Sequence, residues 1–280
     1  MGERTTPGMK AALTIAGSDS SGGAGAQADL KTWCAMDVFG CSVITALTAQ
    51  NTRGVQKVVP LEAEFVVEQI DSVAGDIDCQ ATKIGMVPSA AVAKGVAKAI
   101  KRHTLQPLVI DPVMIAKSGD RLVEDEVISA ITSHLFPLAA VVTPNRFEAA
   151  KLLGGEKCET VSQGVSTAKS IARKFGCHAV IVTGFEVPGE ETEGVPQMVD
   201  VFWTGEEVIE LTGEKRNSVN THGAGCTFSA AIAGGLAKSM PLNDAAEQAK
   251  RLITESIRQN LSLGQGRGPV NHLAWLDVKK

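Results

Sequence analysis

The chain has 280 residues, 44 % of them apolar and 21 % charged, with a formal net charge of −4. That balance leaves no electrostatic footprint for nucleic acid. No apolar run approaches the roughly 18 residues of a membrane span, and the N-terminus Met1–Lys10 lacks the apolar stretch of a signal peptide. The six cysteines (34, 41, 79, 158, 177 and 226) form no Cys-x-x-Cys pair. They read as small apolar residues of a reducing, cytoplasmic compartment.

Residues 1–10 read as a flexible tail and 11–280 as a single domain without repeat or linker. Near-continuously apolar, β-branched runs at 12–17, 41–48, 81–86, 108–111, 139–144 and 179–184 have the character of strands buried on both faces. Helical patterns at 25–37, 62–75, 89–103, 124–135, 146–153 and 162–176 lie between and after them. The alternation predicts an α/β fold with right-handed crossovers and a doubly wound, mostly parallel sheet. At 198–213 two alternating runs flank Thr204-Gly205, a hairpin signal that places antiparallel strands at a sheet edge. Helices at 224–238 and 242–262 close the chain.

In such sheets ligands sit beyond the C-terminal ends of the strands. Gly17–Asp19, Gln50, Asn51, Met86, Asp111, Asn145 and Thr183 fall there. Two glycine-rich turns look able to hold an anion. The first, SDSSGGAGAQADL (Ser18–Leu30), contains Gly23-Ala-Gly25-Ala-Gln-Ala28, which fits the dinucleotide fingerprint. Its context argues against that use, because the first glycine stands too far from the strand and the second strand ends without an acidic residue. A flexible, tightly packed turn is the plainer alternative. Asp29 on the following helix either complements the positive helix end or accepts hydrogen bonds from a small polar ligand. The second turn, NTHGAGCTFSAA (Asn220–Ala231), opens a helix of small residues. No Gly-x4-Gly-Lys-Ser/Thr stretch occurs, so the anion site on offer is the helix start itself, built from unpartnered amides. The alternative is that its glycines only allow close packing. Cys226 falls in the first turn, where the helix field should lower its pKa.

Taken together, LTIAGSDSSGGAGAQADLKT, GCSVITALTAQNTRGV, TKIGM, IDPVMIAKSGDRL, TPNRFEA, NTHGAGCTFSAA and GRGPVNHLAW carry a resemblance. From roughly Ala12 to Trp275 the chain resembles the hydroxymethylpyrimidine/phosphomethylpyrimidine kinases of thiamine biosynthesis, members of the ribokinase-like superfamily. The resemblance implies ATP-dependent phosphorylation of 4-amino-5-hydroxymethyl-2-methylpyrimidine, then of its monophosphate. It implies pyrimidine contacts at Gly17, Asp29, Gln50 and Met86, and an anion hole over Gly223, Ala224, Gly225 and Cys226, with Cys226 catalytic in a role left open between base and packing. It implies ATP and Mg²⁺ as cofactors, with Asp111, Asn145, Glu148, Thr183 and Thr221 on the nucleotide side and Asp111 and Glu148 towards the metal. Asn145 and Glu148 also have capping-box spacing. Lys117–Asp120 matches a flap, and a homodimer is expected as in relatives.

Two positions depart from the family pattern. Thr183-Gly184-Phe185-Glu186 stands where many relatives have Lys-Gly-Gly-His, so another cation must neutralise ATP phosphate or ATP binds more weakly. Gly-Ala-Gly-Cys replaces Gly-Thr-Gly-Cys, a change expected to matter little where backbone amides do the work. The rival readings are a pyridoxal or pyridoxine kinase, or a dual-specificity kinase, by fold kinship, and a catalytically silent ligand-binding protein on the same scaffold.

Overall fold

The computed structural model describes residues 8–114, 124–155, 157–188 and 195–278. In chain order the elements are β1 (Ala11–Ala16), α1 (Gly25–Ala35), β2 (Phe39–Ile44), β3 (Ala46–Asn51), β4 (Gly54–Pro60), α2 (Ala63–Ala74), β5 (Ala81–Ile84), α3 (Ala90–His103), β6 (Leu108–Ile110) and α4 (Asp125–His134). After them come β7 (Val141–Val142), α5 (Arg146–Leu152), α6 (Val161–Phe175), β8 (Ala179–Val187), β9 (Gln197–Trp203), β10 (Val208–Glu214), α7 (Ala224–Ala237), α8 (Leu242–Arg258) and α9 (Trp275–Val278). The central sheet has the order β10-β9-β8-β7-β6-β5-β1-β2. Neighbours from β2 through β8 are parallel, and β9 and β10 are antiparallel at the edge. The expected doubly wound sheet and edge hairpin are both present, the hairpin closing through the turn Thr204–Glu207. Of the expected tail, residues 1–7 lie outside the described residues; Lys10 already accepts from the Phe39 N–H at 2.8 Å.

Side-chain alternation assigns the two faces. Leu13 and Ile15 of β1 join a core with Val66 and Ile70 of α2 and Val92 and Val96 of α3. Ala12 points the other way, into a core with Trp33 of α1 and Phe228 of α7. A strand covered on both sides has no polar face, which is why these runs read as continuously apolar. The small residues of α7 serve close packing along its second half. A Cβ on Gly235 would come 2.9 Å from the Ala245 Cβ of α8, and the Trp33 indole N–H donates to the Ala230 carbonyl at 2.7 Å.

The run at 41–48 is not one strand. It breaks at Thr45, whose N–H donates to the Ala16 carbonyl, whose hydroxyl donates to the Met86 carbonyl and whose own carbonyl accepts from Leu61. The chain then leaves the main sheet as β3 and returns as β4 in a separate antiparallel pair, with an irregularity between Ala49 and Gln50. The β-branched run is continuous across this break, and β4 is largely exposed. Apolar periodicity therefore gives no sign of either feature. The hairpin tip is held by the C-terminal segment, where the Arg267 N–H donates to the Thr52 carbonyl at 2.8 Å.

Candidate active site

The two glycine-rich turns pack on each other. Gly223 caps α7 with φ 79°, and a Cβ there would fall 1.8 Å from the Gly23 carbonyl oxygen. Only glycine satisfies both the left-handed backbone and that approach. In the first turn, Asp19 gathers the donors: Oδ1 accepts from the Ser21 N–H and hydroxyl at 2.9 and 2.8 Å, and Oδ2 from the Gly23 and Ala24 N–H groups at 3.2 and 2.8 Å. His222 of the second turn reaches across, its Nε2 at 2.7 Å from Asp19 Oδ2. Burial by itself would raise the Asp19 carboxyl; the hydrogen bonds from His222 and Ser21 outweigh it and hold it down at about 2.

The start of α7 has no such internal acceptor. It carries no side-chain cap and no acidic residue in its first turn. Among the described residues, no acceptor meets the N–H groups of Gly225 and Cys226. Uncapped amides at the positive end of a helix favour an anion.

Beneath this helix start lies Lys83, a residue that apolar patterning passes over. It is fully buried and donates to both oxygens of Asp29 at 2.9 Å; the Thr14 hydroxyl adds a third donor at 2.6 Å. Burial would lower Lys83, but Asp29, then Cys226 and Asp111, keep it firmly protonated. The same burial pushes Asp29 up against the pull of Lys83; with three donors on its oxygens the pair stays ionised. The two signals that point to Lys83 in the sequence are a lone cation inside the apolar run 81–86 and its place two residues before Gly85-Met86.

Cys226 corrects an expectation. Its thiol is pushed up to about 12, not lowered: burial is the largest cause, Lys83 opposes it, and Asp111 and Asp29 add to it. The residue as a whole is half-buried and lines the cleft wall. The helix field is real but is outvoted by dehydration and two neighbouring carboxylates. At neutral pH the side chain is a thiol.

Asp111 and Glu148 form the acidic corner. Asp111 accepts from the Ser229 hydroxyl at 3.3 Å. Glu148 accepts from the Asn145 N–H at 2.9 Å and the Met114 N–H at 3.3 Å. Asn145 in return caps α5, so the capping box is formed. Both carboxyls are raised, chiefly by burial, and Glu148 reaches about 8 with the Asp111 charge as second cause. Two carboxylates that resist ionising together suit a divalent cation, which relieves both burdens and which in the case of Mg²⁺ takes few carboxylates. Among the described residues no larger cluster of metal-binding side chains occurs.

These parts open on one cleft of about 620 Å³. Gly17, Gln50, Met86, Asp111, Asn145, Glu148, Thr183, Gly223, Gly225 and Cys226 line it. Met86 packs directly on Gly17, its Cε lying where a Cβ would come within 2.7 Å. Asp29, Ala224 and Thr221 do not line it. Asp29 is the clearest correction, since its oxygens face Lys83 and Thr14 in the floor and not a ligand. Arg53 and Arg267 line the cleft as well. The segment Lys117–Asp120, matched to a flap, lies outside the described residues. Among the described residues no helix is long and apolar enough to cross a membrane.

A family model described as phosphomethylpyrimidine kinase matches residues 19–271. The chain is 46 % identical over 274 residues to the hydroxymethylpyrimidine/phosphomethylpyrimidine kinase of Rhizobium meliloti, covering 95 % of this chain and 98 % of that one. Among solved structures it is similar to an ADP complex of Bacillus subtilis pyridoxal kinase, with a TM-score of 0.84, 38 % identity and coverage of 95 % and 98 % of the two chains. The pyridoxal kinase from Staphylococcus aureus in complex with AMP-PCP and pyridoxal matches with a TM-score of 0.83, 32 % identity and coverage of 95 % and 94 %. With a family match over nearly its whole length and a fold to agree, this chain belongs to the phosphomethylpyrimidine kinase family.

Proposed function

We propose that the protein uses ATP to phosphorylate 4-amino-5-hydroxymethyl-2-methylpyrimidine and then its monophosphate, giving the pyrophosphate. The observation that carries this reading is the meeting, in one cleft, of the uncapped start of α7 with Gln50, Met86 and Gly17. Gln50 offers a donor and an acceptor to an aminopyrimidine edge, and Met86 gives the ring a polarizable apolar face. The Gly225 and Cys226 amides then hold the charge that builds on the transferred phosphoryl group, with Gly223 setting their position. Lys83, from below, offsets the charge of Asp29 and Asp111 so that a further anion is tolerated nearby. Asp111 and Glu148 would hold Mg²⁺, which supplies positive charge beside the ATP phosphates.

Cys226 enters this chemistry as a neutral thiol, so positioning and charge stabilisation outweigh base catalysis by sulfur. Asn145 and Thr183, joined as neighbouring strand ends on the cleft wall, would contact the nucleotide. The cations at Arg53 and Arg267 take the place of the family lysine absent at Thr183. Vitamin B6 phosphorylation is the second reading, favoured by the fold match to pyridoxal kinases at TM-scores above 0.8. A cytoplasmic homodimer accompanies the proposal, with light scattering as its check.

Phosphorus NMR of products from the pyrimidine alcohol, its monophosphate and pyridoxal, each with ATP and Mg²⁺, tests the assignment. Successive mono- and diphosphate signals from the pyrimidine are expected. Turnover of pyridoxal alone would transfer the assignment to the B6 vitamer, and no ATP consumption with any of the three would refute it.

A further inference from the structure

The Gln50 carboxamide faces a ring nitrogen that is already committed. His222 Nε2 lies 2.7 Å from Asp19 Oδ2 and 3.3 Å from the Gln50 amide nitrogen. Asp19 is an acceptor on every side, toward Ser21, Gly23 and Ala24 as well as His222. A carboxylate that collects this many donors carries no proton of its own. The proton between the two residues is therefore on Nε2, and a protonated Nε2 has no lone pair to offer. It cannot accept from the Gln50 NH₂, and two donors set face to face repel. A half-turn of the carboxamide exchanges its two polar atoms without changing its shape, and brings Oε1 toward the Nε2–H, which it then shares as the longer partner with Asp19 Oδ2. The Gln50 backbone is pinned meanwhile by Ser20, whose hydroxyl accepts from its N–H at 2.8 Å and donates to its carbonyl at 2.9 Å. Only the side chain is left to be oriented.

We propose that Asp19 and His222 are positioning residues that lock the Gln50 carboxamide with its oxygen against His222, and that this lock makes the site select a 4-aminopyrimidine over its 4-oxo counterpart. The selection rests on the substrate class proposed above; the lock does not. A carboxamide held at one end presents its acceptor and donor to the cleft in a fixed order. A 4-aminopyrimidine answers with an amine donor beside a ring-nitrogen acceptor. The 4-oxo ring, protonated at that nitrogen, presents the two in reverse. A free glutamine would rotate to suit either ring, whereas a locked one sets donor against donor and acceptor against acceptor with the second, and polar groups left unpaired beneath a bound ring are disfavoured.

The test uses the full chain. Nitrogen-15 NMR of the histidine-labelled wild-type protein should show His222 Nε2 protonated; a bare Nε2 would overturn the lock whatever the activity. In kinetics, His222→Ala should lower the ratio of kcat/KM for the 4-amino over the 4-oxo pyrimidine alcohol by about tenfold or more, with a smaller change in the KM for ATP. An unchanged ratio in a folded, active variant would sink the selectivity claim. Wild-type protein that phosphorylates neither ring would overturn the substrate class instead, with the nitrogen shifts still deciding the lock. Should His222→Ala fail to fold, Asp19→Asn serves as the second variant: loss of Nε2 protonation together with a lowered ratio supports the proposal, and retention of both refutes it.

Discussion

The two turns are both rich in glycine and have opposite availability. In Ser18–Ala24 the amides of Ser21, Gly23 and Ala24 are spent on the chain's own Asp19. In His222–Cys226 no side chain plays that part, and the amides of Gly225 and Cys226 stay open to the cleft. One carboxylate thus decides which turn is scaffold and which is site. The first turn supports the second, through Gly23 against Gly223 and Asp19 against His222. Glycine content alone does not identify an anion site; what matters is whether an internal acceptor has already claimed the amides.

The contact between the turns is the place to break this division. Gly223→Ala forces a Cβ against the Gly23 carbonyl in a left-handed backbone, so kcat should fall by roughly 10²–10³ as the amides move off the phosphoryl position; steady-state kinetics on folded protein measure it. Asp19→Asn tests the scaffold half. Denaturant unfolding at pH 7 should show a loss of roughly 1–3 kcal/mol. Because the folded carboxyl is held below its ordinary value, its contribution is present above 3.8 and is lost as pH falls through about 2. The difference between wild type and variant should close over that window.

Two smaller effects sharpen the site half. Cys226→Ser should change kcat by less than about tenfold, and the pH–rate profile should not shift between about pH 6 and 9, since a thiol at about 12 has nothing to titrate there. A displaced profile would restore the thiolate. Gly225→Ala is the mildest change: its Cβ would meet only Asp111 Oδ2, at an ordinary 3.7 Å. Stability should hold or rise by about 0.5–1 kcal/mol, as alanine is the better helix former, and kcat should stay within about threefold of wild type. Two glycines of one turn, separated only by Ala224, would then differ widely, the first needed for its backbone and the second not.

Local pattern carried the strands and helices because a doubly covered strand is apolar throughout and a surface helix is striped. The same logic hid the β3–β4 hairpin, whose residues are half-exposed and whose break at Thr45 leaves no mark in a β-branched run. Gln50 and Met86, singled out through the resemblance, lie on the cleft wall, and Asn145 with Glu148 were legible from capping-box spacing, formed as expected at the start of α5. Lys83 was passed over, although a lone cation inside an apolar strand run is a signal that it has a buried partner.

The sequence by itself determined the layered fold, the position of both glycine turns and the family, because these depend on neighbours along the chain. Only the tertiary structure decided what each polar group is free to do. Asp29 is claimed by a lysine 54 residues away, Asp19 by a histidine 203 residues away, and Cys226 is kept a thiol by burial among carboxylates from other strands and helices. Charge state and hydrogen-bond availability are set by dehydration and by partners in space, and neither is written in local spacing.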